Sequence, residues 1–149
     1  MVDSFLQFLY AFGATISFSV LFNVKKKHLF ACGVVGGIGW VLYWVLEKGG
    51  YSEVFATFIA TLALSTISYF LAKRKKAPVT VFLISGIIPL VPGVTLYRTM
   101  YYLLFSEYDL ALSYALLTLQ LAGVIASGMI LSALFPVLIR PKEVYKKRL

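Results

Sequence analysis

The sequence predicts an all-α integral membrane protein with five transmembrane helices, the fourth broken at Pro89–Gly93. Three observations lead there. Of 149 residues, 60% are hydrophobic and only 13% are charged, with a mean hydropathy of +0.88, which is more apolar surface than a soluble domain of this size buries. Apolar runs near the about 20 residues that cross a bilayer's hydrocarbon recur five times. The breaks between them alternate in charge.

The runs are Phe5 to Val24, Leu29 to Leu46, Val54 to Ala72, Val79 to Phe105 and Leu110 to Ile139. The breaks read "KKKH", "EKGGYSE", "KRKK", "SEYD" and the tail "RPKEVYKKRL": basic, acidic, basic, acidic, basic. If each run crosses once, Lys25–Lys27, Lys73–Lys76 and the basic tail share one side, and Asp3, Glu47, Glu53, Glu107 and Asp109 share the other. Positively charged loops stay cytoplasmic, so the N-terminus is expected outside and the C-terminus inside. Lys48 and Glu143 alone depart from this sorting. A re-entrant fourth run would reverse the parity and put the basic tail outside, against the charges.

The organisation expected is one five-span domain over residues 1–139 and a basic cytoplasmic tail over 140–149. The first run is expected to remain in the mature chain, because no basic segment precedes it and no small-residue cleavage pattern follows. The net charge of +8 follows from the cytoplasmic clusters and is no sign of nucleic-acid binding. Trp40, Tyr43 and Trp44, and Tyr101, Tyr102 and Tyr108, suit aromatic belts at the membrane interface. Cys32 has no second cysteine to pair with and is expected to pack.

The fourth run carries the clearest functional signal. A helix over Val79 to Phe105 would be about 40 Å long against roughly 30 Å of hydrocarbon. Pro89 cannot donate to Ser85 O, nor Pro92 to Ile88 O, and each disfavours helical geometry in the residue before it. "PLVPG" is therefore expected to unwind near mid-membrane, with Gly93 easing the exit. Irregular backbone at this depth is tolerated only where protein or a wet cavity covers it, and broken spans of this kind hold substrate in transporters. The N–H groups of about Val94 to Leu96 would attract a carboxylate, while the carbonyls of Ser85 and Ile88 would suit an ammonium group. Ser85, Ile88, Pro89, Pro92, Gly93 and Thr95 are thus the candidate binding residues. A proline kink fixed only by neighbouring helices is the alternative.

Arg98, roughly 10 Å from the outer end of its span, either snorkels to the interface or turns inward to an anion or a partner's carboxylate. Asn23 and Gln120 suit interhelical hydrogen bonds, with site lining as the second reading. In "CGVVGGIGW", Gly33 and Gly37 with Gly36 and Gly39 predict close helix packing.

No enzyme is expected. His28 falls on the side opposite Asp3 and Asp109, so no hydrolytic triad can assemble. One His and one Cys do not furnish a zinc site, and no GxxxxGK[ST] phosphate loop occurs. No cofactor is expected, and any transport would be driven by a gradient. A membrane-embedded lipid-modifying enzyme lacks an acid/base or nucleophile pair on one face.

At "FLISGIIPLVPGVTLYRTM" the chain closely resembles the threonine/serine exporter family (ThrE), in its small-subunit, C-terminal-half or YjjB-like version. The resemblance extends through "GATISFSVLFN", "GGIGWVLYWVL" and "LAKRKKAPVTVFL". The chain departs from the family where it reads "NVKKKH", without the proline that commonly follows the Asn, and at Tyr69, where an acidic residue is frequent. The resemblance implies the small subunit of a two-component exporter in the bacterial cytoplasmic membrane. Its cargo would be a small carboxylate-bearing metabolite, threonine and serine or a dicarboxylate such as succinate. It also implies a larger membrane partner; an odd span count suits one whose similar spans insert the opposite way up, with further oligomerisation open. The alternative is a non-transporting assembly or stability subunit of a larger complex.

Overall fold

A computed structural model describes residues 2–138, and the expected basic tail lies outside the described residues. The described chain is helical: α1 Val2–Leu21, α2 Lys26–Lys48, α3 Glu53–Lys75, α4 Val79–Ile87, a single 3₁₀ turn Ile88–Leu90, α5 Gly93–Leu104 and α6 Tyr108–Leu138. Among these, α1, α2, α3 and α6 are each long and apolar enough to cross a membrane, and α4 with α5 is a pair bent by 49°, the geometry of a broken span or of a re-entrant loop, which brings the candidate spans to five if it crosses as one.

The four turns between spans share one device. Each helix closes on a residue with positive φ: Asn23 (57°), Gly50 (86°), Lys76 (50°) and Ser106 (61°). The next residue's N–H then reaches back to a carbonyl five residues earlier, Val24 to Ser19, Tyr51 to Leu46, Ala77 to Ala72 and Glu107 to Tyr102, at 2.9–3.2 Å. This Schellman closure satisfies carbonyls that a helix end would otherwise leave bare. It also turns the chain within a few residues, so consecutive spans pack side by side. One end of the bundle gathers Lys25–Lys27 and Lys73–Lys76; Glu47 and Glu53 lie at the opposite ends of α2 and α3, and Glu107 and Asp109 at the turn between α5 and α6.

Helix α2 is the hub, touching α1, α3 and α4. Its glycines make this possible. A Cβ on Gly36 would collide with Thr15 of α1, those on Gly33 and Gly37 with Phe12 and Phe8, and that on Gly39 with Leu64 of α3. Gly86 of α4 returns the arrangement, since a Cβ there would sit 2.6 Å from Val35 Cγ1. Close backbone approach of this kind is what holds helices together where lipid removes any hydrophobic drive between them. Cys32, fully buried, packs with Ala31, Ala72 and Phe82, and its Sγ donates to Val81 O at 3.4 Å.

Candidate functional site

The interruption of the fourth span is shorter than the sequence suggests. Pro89 and Leu90 stay coiled in the 3₁₀ turn, and only Val91 (φ −61°, ψ 132°) and Pro92 (φ −75°, ψ 56°) leave helical geometry. The 3₁₀ turn needs a donor only three residues on, so Val91 N–H reaches Ile88 O at 3.2 Å. The Ile88 carbonyl is therefore occupied, contrary to the expectation that Pro92 frees it. Gly93 adopts ordinary helical geometry as the first residue of α5. What its missing side chain provides is room, because a Cβ there would meet nothing within 4 Å.

Gly93 also belongs to the lining of a cavity of about 140 Å³. Set against about 30 Å³ per water in the liquid, it is on the scale of a small metabolite. One wall is the broken backbone from Pro89 to Thr95; the others are Trp40 and Tyr43 of α2, Glu53 and Thr57 of α3, and Leu121 of α6. The cavity lies near the start of α3, of which Glu53 is the first residue.

Two features of opposite sign meet in it. At the start of α5, Gly93 N–H folds back to Val91 O (2.7 Å), and Leu96 is the first residue to donate four back, to Pro92 O (3.2 Å). The N–H groups of Val94 and Thr95 are left facing forward, with the positive end of the helix dipole behind them. Across the space stands the half-buried Glu53 carboxylate, whose neighbours in charge are Glu47 and Arg98. The helix start is pinned by hydroxyls: Thr95 Oγ1 donates to Pro92 O (3.1 Å) and accepts from Thr118 Oγ1 of α6 (2.9 Å).

Of the nine residues proposed from sequence, Pro89, Pro92, Gly93 and Thr95 line the cavity. Ser85 is buried one turn before Pro89 and, like Ile88, lies outside the lining. Arg98 is exposed on α5. Its Nη1 donates to Tyr114 Oη at 3.2 Å and its guanidinium covers the Tyr114 ring at 5.3 Å, with Tyr102 stacked on that ring. It flanks the site rather than lining it. Asn23 is exposed at the basic end, where it serves as the left-handed residue that stops α1. Gln120 points out of α6 beside the inward Leu121, and among the described residues it makes no side-chain hydrogen bond.

Sequence reasoning missed Glu53, assigned there to topology, and Trp40 and Tyr43, assigned to a membrane belt. Trp40 instead points inward, its Nε1 donating to Gln7 Oε1 at 2.8 Å while its ring lies 5.2 Å from that of Tyr43. The overlooked signal was position: Glu53 follows Ser52, whose Oγ accepts from Phe55 N–H as a helix cap, so the carboxylate begins the span instead of floating in a loop. Among the described residues no three His, Cys, Asp or Glu side chains converge on a metal site.

A bundle of apolar helices with a small, partly open, two-signed cavity at a bent helix pair has the build of a membrane transport protein. The comparison with known families makes this specific: the model of the threonine/serine exporter family, ThrE, matches residues 7–135. The chain belongs to that family, and so to a class of multi-pass proteins of amino-acid export. It is similar to an uncharacterized protein of Haemophilus influenzae, 32% identical over 100 residues, which are 67% of this chain and 34% of that protein. The chain thus spans about a third of that relative's length. No solved structure matches.

Proposed function

We propose that the chain is the small subunit of a two-component bacterial exporter that moves threonine, serine or a similar small amino acid out of the cell, driven by a gradient. The observation that carries this reading is the pairing of the Glu53 carboxylate with the free N–H groups of Val94 and Thr95 across one cavity. A zwitterion satisfies both at once, its ammonium at Glu53 and its carboxylate at the start of α5. A dicarboxylate would set its second anion against Glu53, in a setting where poor solvation strengthens repulsion. The reading therefore favours amino acids over succinate.

The relative's length supports a second component. That protein is about twice as long as this chain, enough for a further membrane bundle. Five spans in this chain suit a larger partner with spans of the opposite orientation, the two enclosing the path between them. The basic end faces the cytoplasm by the charge rule and the Glu47 and Glu53 end faces out, in the bacterial cytoplasmic membrane.

The test begins with purification of the tagged chain from its native membrane in mild detergent, with mass spectrometry of what accompanies it in fixed ratio. The recovered assembly is then reconstituted for flux of labelled L-threonine and succinate. Threonine flux that falls about tenfold or more in Glu53→Gln, a loss of about 1.4 kcal/mol, is the expected result. Succinate flux without threonine flux, or an unaffected Glu53→Gln variant, contradicts the reading.

A further inference from the structure

Helix α3 carries four buried hydroxyl residues on one side: Thr57, Thr61, Ser65 and Ser68. Steps of four, four and three residues keep them in one narrow stripe about 16 Å long. Thr57 lines the cavity, and the stripe runs from there towards the basic end. No charged residue occurs in α3 between Glu53 and Lys73.

Buried helical hydroxyls have an easy local solution, donation to the carbonyl four residues back. Thr15, Ser19 and Ser68 take it, at 2.7, 2.7 and 2.8 Å. Thr61 Oγ1 and Ser65 Oγ do not: both residues are wholly buried, and these two oxygens have no hydrogen-bond partner. Helix α6 closes over Thr61. A Cβ on its Gly128 would sit 3.1 Å from Thr61 Cγ2 and 3.4 Å from Leu62 N, so the two backbones are near contact. Both helices run from the acidic to the basic end. One turn further along each stand Ser65 and Ser132, both buried.

Hydroxyls from two helices thus line a closed seam leading away from the cavity, and two of them are left unsatisfied there. Such groups are unfavourable in a seam that stays shut and useful in one that opens to a polar occupant. We propose that the α3–α6 seam is the onward path of the solute between the cavity and the basic end, and that Thr61 and Ser65 hydrogen-bond a small amino- and hydroxyl-bearing solute as it passes. The proposal rests on the exporter reading above. The absence of charge along the stripe fits a zwitterionic passenger, which a fixed charge would trap. Gly128 is where α6 parts from α3.

Two measurements test it in the assembly as isolated from its membrane. Thr61→Val keeps the side chain's shape and removes the unpaired oxygen, so the thermal midpoint holds or rises while L-threonine flux falls about tenfold. In a Cys32→Ser background, Ser65→Cys reacts with a small water-borne methanethiosulfonate during turnover. It does so about tenfold faster or more than Ala60→Cys, whose site is buried in the apolar cluster with Val35, Leu64 and Leu90. Excess L-threonine slows the reaction. An inert Ser65→Cys, or undiminished flux in Thr61→Val, overturns the path. If Glu53→Gln still lowers flux in that case, the exporter reading survives; a wild-type assembly that moves no threonine overturns both.

Discussion

The two halves of the broken span live in different surroundings. Helix α4 is wedged between α2 and α3, with Phe82, Ser85 and Gly86 buried. Helix α5 packs chiefly on α6, and Thr95 is its one buried residue; Val94, Leu96, Tyr97, Met100 and Leu104 are all more than half exposed. The 49° bend sets it onto α6, and the cavity lies at the junction. The fixed half holds the fold, and the displaced half borders the cavity in which the proposed solute would sit.

Tightening the fixed half is the most damaging change that comparison predicts. In Gly36→Ala the new methyl group collides with Thr15 Oγ1 and comes within 2.9 Å of Thr15 Cβ. Overpacking in a closed interface costs about 1–3 kcal/mol, so a thermal midpoint in detergent several degrees below wild type, with poor membrane yield, is expected. Loosening the displaced half costs less. Thr118→Val removes the hydroxyl that pins Thr95, and a net loss of about 1 kcal/mol is expected, read as lower threonine flux and faster hydrogen exchange over 93–99 with α4 unchanged. Gly93→Ala is the smallest change: its Cβ enters open space and alanine favours the helix by about 1 kcal/mol, so stability holds or rises slightly. A marked loss of stability in that variant would mean that the junction is packed shut.

The spans were legible because hydrocarbon imposes a strong rule on composition, and five apolar runs with alternating charged breaks leave little freedom. The glycine run of α2 was legible for the same reason, since little but close packing explains four glycines in a span. The turns were not. Nothing in the residue types of Lys76 or Ser106 announces a left-handed helix end, which is imposed by the need to reverse the chain. The prolines marked where the fourth span breaks but not how far it unwinds, because a 3₁₀ turn accommodates Pro89 and uses the Ile88 carbonyl. Glu53 was hidden by its location at a span's edge, where an acidic residue already has a reason to exist. Trp40 and Tyr43 were hidden likewise, because aromatic rings near an interface suit a belt and a cavity equally well. Only the bend, which brings Pro92–Thr95 opposite α3, separates the two.

The central claim is that the space at the junction of α4 and α5 is where the solute binds. Gly93→Phe tests it most directly, since Gly93 lines the cavity of about 140 Å³ and a side chain there starts in open space. Exchange of labelled L-threonine by the reconstituted assembly is the quantity to measure, with the thermal midpoint as a control. Loss of exchange at an unchanged midpoint is the predicted result. Exchange at the wild-type rate, with the ring in place, would contradict the account.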